Sequence, residues 1–227
     1  MLERGHQTAY VVARWLAAAG VRSALHVGYA SGRYLYYLSR AGVQAGGVDL
    51  PPGETSWAEV PEGLLDAGTR ARLVAADFLD LAPGQLGSAW GAAALPIDVA
   101  FSEATFETLL PWRPRAAGVS VPKYRAMDPA ALARHVEEAL PAELAALSTC
   151  IGSYAFIEPE PTAGGAGGLF ARCADRLPGL RHSVWRFRPP LDDLFRLSPY
   201  FPTRQTVYLF ARDDRLAEAL HPYATRL

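Results

Sequence analysis

The chain has 227 residues, half of them hydrophobic and 20% charged, with a formal net charge of −1. That balance suits one sizeable globular core, and a charge so near zero gives no ground to expect a nucleic acid or a membrane surface as partner. Its two cysteines, Cys150 and Cys173, have no metal-ligand spacing, so no metal is expected and a reduced, cytoplasmic setting is the economical inference. Met1–Gln7 carries Glu3, Arg4 and His6, and the apolar run after it is amphipathic and too short to span a bilayer.

In chain order, His6–Ala19 predicts a helix ended by Gly20, with Tyr10 and Trp15 assigned to core packing or, as the lesser alternative, to a substrate cleft. Ser23–Leu50 reads as one strand, helix, strand unit: a buried strand Ala24–Gly28, a glycine turn Tyr29–Gly32, a helix from about Arg33 to Ala41 and a second strand Ala45–Leu50. A helix over Trp57–Ala67 then leads to a strand Leu73–Ala76 that ends at Asp77-Phe78. Ala82–Leu95, rich in Ala and Gly around Trp90, predicts a loop or broken helix before a fourth strand, Ile97–Ser102. Phe106–Tyr124 is interrupted by prolines at 111, 114 and 122 and interleaves aromatic with basic residues. It reads either as a substrate-gripping lid, with Trp112, Arg113 and Tyr124 as its contacts, or as a surface loop packed by Arg stems.

Asp128-Pro129 opens a helix with strong start signals that runs through His135 and Leu140 to Pro141, with a further turn to Leu147. His135 lies on or beside its apolar stripe, as a boundary histidine or as a catalytic base. A fifth strand, Ser153–Ile157, is terminated by Glu158-Pro159, and a glycine loop Gly164–Gly168 precedes a helix Leu169–Leu177. The last two strands are His182–Arg188 and Gln205–Arg212, separated by a proline-bounded insertion Pro189–Thr203.

The chemistry concentrates in the turn. Gly28 and Gly32 flank a sharp strand-to-helix bend where missing Cβ atoms let the backbone approach a ligand, and Asp49, at the end of the next strand, can accept hydrogen bonds from two ribose hydroxyls. A nicotinamide site wants Gly-x-Gly-x-x-Gly, which Gly28-Tyr29-Ala30-Ser31-Gly32 does not supply. The run His26-Val27-Gly28-Tyr29-Ala30-Ser31-Gly32 resembles instead the first motif of class I S-adenosylmethionine-dependent methyltransferases, acid-x-Gly-x-Gly-x-Gly, with Ala30 for the middle glycine and His26 for the acid.

The resemblance implies a doubly wound α/β fold: a seven-stranded, mostly parallel sheet with the last strand antiparallel between its neighbours and helices on both faces. All 227 residues would form one domain, with a cofactor half at 23–80 and substrate-side insertions at 103–125 and 189–203. It implies S-adenosylmethionine as cofactor and methyl transfer to a small-molecule metabolite as activity. The cofactor contacts it implies are His26, Gly28, Tyr29, Ala30, Gly32, Asp49, Leu50, Asp77, Phe78 and Ser102. Asp77 would contact the adenine amino group with Phe78 on the ring, or else merely cap the turn before Leu79. Glu103 would be a general base or a substrate hydroxyl partner beside the sulfonium, or else a carboxylate in the first turn of the next helix. His26, standing where the family's acid helps hold the methionine end, predicts binding that weakens as pH falls toward 5.5 and tightens in His26→Asp. The same two departures, His26 and Ala30, fit the alternative of a methyltransferase-like scaffold that binds a ligand or partner without turnover.

Overall fold

A computed structural model describes residues 4–51, 60–103, 105–106, 124, 127–159, 166–189 and 205–227. Eight strands form one sheet: β1 (Ser23–Val27), β2 (Gln44–Asp49), β3 (Leu73–Ala75), β4 (Val99–Glu103), β5 (Tyr154–Pro159), β6 (Arg181–Phe187), β7 (Gln205–Ala211) and β8 (Ala224–Arg226). Their order is β3-β2-β1-β4-β5-β7-β6-β8. The first five strands run parallel, and β7 is inserted antiparallel between β5 and β6. The order reverses between β1 and β4, and a crevice at such a reversal, beyond the carboxyl ends of the strands, is where open α/β sheets bind ligands.

The helices are α1 (Arg4–Ala18), α2 (Arg33–Arg40), α3 (Ala67–Ala71), α4 (Pro83–Trp90), α5 (Pro129–Leu147), α6 (Ala166–Arg176) and α7 (Arg215–Leu220). Alternation along the strands divides the core into two layers. Ala24, Val99, Phe101, Ala155, Val207 and Leu209 pack on α1, α2 and α7. Leu25, Val27, Ala100, Tyr154, Phe156 and Tyr208 pack on α4, α5 and α6. Central strands buried on both faces read as near-continuous apolar runs, and every residue of β7 is buried.

Several expectations are corrected. The helix expected over Trp57–Ala67 is absent where that stretch is described. Residues 62–65 are turn and bend, and Asp66 caps α3 by accepting from the Thr69 N–H at 2.7 Å. Tyr10 is 49% exposed, because the inward stripe of α1 is Ala9, Val12, Ala13, Trp15 and Leu16; Trp15 is buried, and its indole N–H donates to the Leu216 carbonyl at 2.9 Å. Pro141 lies inside α5, which runs unbroken with Leu140, Leu144 and Leu147 in the core. Gly167 and Gly168 belong to α6, which begins at Ala166, inside the expected glycine loop. Glu158-Pro159 continues β5 and pairs with Thr206 and Gln205.

An eighth strand, β8, also pairs antiparallel with β6 at the sheet edge. Three residues with no alternating pattern give no strand signal, and β8 exists because α7 and its turn deliver it there. Among the described residues, no helix is long and apolar enough to cross a membrane.

Candidate functional site

The turn after β1 takes the shape that the glycine motif asks for. Gly28 and Gly32 have φ of 72° and 75°, and Ala30 also sits at positive φ, 43°. The left-handed region costs an L-residue with a Cβ roughly 1–2 kcal/mol. Ala30 therefore holds a glycine-like backbone at the position where the resembled motif has glycine. Gly32 is the N-cap of α2 and supplies no side-chain cap, so the first N–H groups of that helix face the turn without an acceptor from the capping residue.

Space over Gly28 is used differently from the sequence expectation. A Cβ there would lie 2.6 Å from Thr105 Oγ1, whose hydroxyl donates to the Val27 carbonyl at 3.0 Å. The missing side chain thus admits Thr105, which ties the segment after β4 to the end of β1. Tyr29 lies over β2, where a Cβ on Gly47 would meet its ring at 2.5 Å.

Asp49, the last residue of β2, is fixed by two backbone donors. The Ala30 N–H reaches Oδ2 and the Leu50 N–H reaches Oδ1, both at 2.8 Å. Burial raises its pKa above the usual carboxylate value, and the two amides pull it back. Each oxygen keeps lone-pair capacity beyond its one backbone partner. The turn and the end of β2 are thereby one hydrogen-bonded unit.

On the other side of the turn stands Glu103. It is the last residue of β4, which removes the expectation of a carboxylate in a following helix. The register that pairs Val27 with Ser102 brings it beside Gly28. The Tyr34 hydroxyl donates to its Oε2 at 2.5 Å, and Thr8 of α1 is a more distant neighbour of the same hydroxyl at 3.5 Å. Burial raises the pKa of Glu103, with the Tyr34 hydrogen bond and then Arg33 opposing. Burial and then the Glu103 charge raise that of Tyr34.

His26 is one layer below, 3% exposed, stacked on Phe101 at 4.5 Å and 2° and tilted against Tyr34 at 4.8 Å. Its Nδ1 has no hydrogen-bond partner among the described residues. Burial lowers its pKa to about 3, so the imidazole stays neutral throughout the range from pH 5.5 to 8. The expected weakening of binding toward pH 5.5 required His26 to gain a proton, which its burial opposes.

The opposite face of the sheet carries the remaining candidates. Ser102 is buried and its hydroxyl donates to Glu158 Oε1 at 3.4 Å, as does the Phe106 N–H at 3.2 Å. Phe78 is buried edge-on against Phe106 at 6.1 Å between ring centres. Asp77 accepts from the Leu79 N–H at 3.0 Å as the cap of the turn Phe78–Asp80, and from the Tyr124 hydroxyl.

Tyr124, expected as a contact of a substrate-gripping lid or of a surface loop, is 2% exposed and forms part of this wall. Its ring lies 5.9 Å from that of His135 on half-buried α5 surface. Glu143, also on α5, is pushed up to about 7 by burial and then by Asp80 and Asp77. Among the described residues, no group of three His, Cys, Asp or Glu side chains is placed to hold a metal ion.

The structure therefore gathers Gly28, Tyr29, Ala30, Gly32, Asp49, Leu50 and Glu103 around one turn, and Asp77, Phe78, Tyr124 and His135 around another. Glu103 and His135, the two candidate catalytic groups, are on opposite faces of the sheet. Trp112 and Arg113 lie outside the described residues, as does nearly all of the two insertions. Tyr34, Thr105 and the buried carboxylate of Glu158 were not read as site residues. Tyr34 looked like one more member of an apolar helical stripe, and only its neighbour across the turn gives its hydroxyl a task.

No protein family and no curated protein matches the chain in sequence. Solved structures do match in fold. The methyltransferase domain of bacterial CtHen1 superposes with a TM-score of 0.53 at 14% identity, over 93% of this chain and 100% of that one. An S-adenosylmethionine-dependent methyltransferase from Archaeoglobus fulgidus gives 0.51 at 12% identity, over 92% and 94%.

Proposed function

From the premise that this chain has the class I methyltransferase fold, we propose that it binds S-adenosylmethionine at the turn Tyr29–Gly32 and transfers its methyl group to a small molecule. The observation that carries the proposal is the hydrogen-bonded unit of Ala30 and Asp49: a left-handed turn whose backbone aims a carboxylate with lone pairs to spare at the carboxyl end of β2. Asp49 accepts the two ribose hydroxyls, and Leu50 and Tyr29 line the same edge. Asp77 and Phe78, at the end of β3, take the base. Carboxylates on both sides of the turn, Asp49 and Glu103, favour a cationic ligand and disfavour the pyrophosphate of a dinucleotide.

The bound cofactor supplies a sulfonium methyl that is already electrophilic. The chain's own contribution is alignment of an incoming nucleophile and exclusion of water, which together can supply much of the rate. Where the acceptor is a hydroxyl, His135 is the candidate base. Trp112 and Arg113 are the proposed substrate contacts.

Calorimetric titration with S-adenosylmethionine, S-adenosylhomocysteine and NAD tests the proposal. The first two should bind in the micromolar range and NAD should not. Binding of NAD alone, or of none of the three, would overturn it. Binding without methyl transfer across a broad acceptor panel would leave a ligand-binding scaffold in place of an enzyme.

A further inference from the structure

The resembled motif places its acid on β1, two residues before the first glycine, where this chain has His26. The structure shows a carboxylate close by that comes from a different strand. In the parallel pairing of β1 and β4, His26 stands beside Phe101, and Glu103 lies two residues further along β4 on the same face. One tyrosine touches both: the Tyr34 ring lies against His26, and its hydroxyl holds Glu103 Oε2. His26 and Phe101 stack as a flat apolar floor, and the register that pairs Val27 with Ser102 brings Glu103, two residues beyond Phe101, beside Gly28.

Resting on the function proposed above, we infer that the acid has moved from β1 to β4, and that Glu103 recognises the ammonium of an α-amino-acid group carried by the ligand. The partners of Glu103 fit that task. Oε2 is oriented by Tyr34, and Oε1 receives no donor among the described residues. Arg33 acts on the carboxylate only from a distance, its Nε being turned to the Ser31 hydroxyl at 3.0 Å. A part-buried carboxylate with one hydroxyl donor and no paired cation gains most from a ligand that brings both a positive charge and N–H donors. The neutral His26 beneath neither repels that charge nor competes for it. A carboxylate added at position 26 would crowd Glu103, so His26→Asp alone should weaken binding, opposite to what the motif by itself suggests.

The test compares two probes, S-adenosylhomocysteine and methylthioadenosine, which share adenine, ribose and sulfur but differ in the amino-acid group. Glu103→Gln should weaken S-adenosylhomocysteine at least tenfold and change methylthioadenosine less than twofold. Tyr34→Phe, a smaller change that keeps the ring on His26, should weaken S-adenosylhomocysteine severalfold with the same selectivity. Thermal melting verifies that each variant is folded, and Tyr34→Phe carries the test if Glu103→Gln is not. Equal losses for both probes, or unchanged affinity for S-adenosylhomocysteine, would overturn the assignment of Glu103 and leave the proposed function standing. Wild-type protein that binds neither probe would overturn both.

Discussion

At the scale of single residues, His26 shows how burial changes the meaning of a side chain. A histidine in a ligand turn invites a pH switch near 6.5, yet this one is stacked between Phe101 and Tyr34 and titrates near 3. Its folded pKa is depressed while its unfolded value stays ordinary, so between pH 6.5 and 3 the unfolded chain binds the extra proton and stability falls with pH. At about 1.4 kcal/mol per pH unit, this contributes about 2–3 kcal/mol of lost stability between pH 6.5 and 4.5. Glu143 acts in the opposite sense, because its raised pKa stabilises the folded state below its unfolded value and that contribution is lost as pH rises through about 7. Urea unfolding of His26→Leu should therefore show a shallower decline toward pH 4.5 than wild type, with the Glu143 contribution common to both. Parallel pH profiles would mean that His26 is hydrated or charged in the folded state.

At the scale of elements, the turn joining β1 to α2 is over-determined. Three of its residues have positive φ, Asp49 anchors its middle, and Thr105 closes over its start. Gly28→Ala meets both a conformational cost of roughly 1–2 kcal/mol and the Thr105 side chain, whereas Ala30→Gly relieves strain of similar origin. The expected outcomes are a clear drop in melting temperature for Gly28→Ala and a small rise, or no loss, for Ala30→Gly. A destabilised Ala30→Gly would show that the methyl group at 30 packs usefully.

This turn was legible in the sequence because glycines report backbone conformation directly, and β1, α2 and β2 fell within about a residue of their predicted bounds. The partners of the turn were not legible. Glu103 ends a strand some 75 residues away in sequence and Thr105 follows it, reaching Val27 across 78 positions. No local pattern announces such a contact. Tyr10 and Pro141 misled for a related reason: a residue's type suggests core or break, but the face it occupies and the packing around it decide.

At the scale of the whole molecule, the antiparallel insertion of β7 was implied by the family resemblance, whereas the strands themselves were legible as apolar runs, since strands buried on both faces carry a strong signal. The eighth strand, with three residues and a sheet-edge position, did not. The two-layer core and the reversal of strand order between β1 and β4 set Asp49 and Glu103 at the carboxyl ends of their strands, on either side of a single turn. Ligand capture by that turn is the central claim, and Asp49 is its most exposed consequence. Titration of S-adenosylhomocysteine into wild type and Asp49→Ala tests it most directly. Loss of charge-assisted hydrogen bonds to two hydroxyls should weaken binding by about 1.5–3 kcal/mol, or roughly 10- to 150-fold, in a variant that remains folded. A folded Asp49→Ala with wild-type affinity would contradict it.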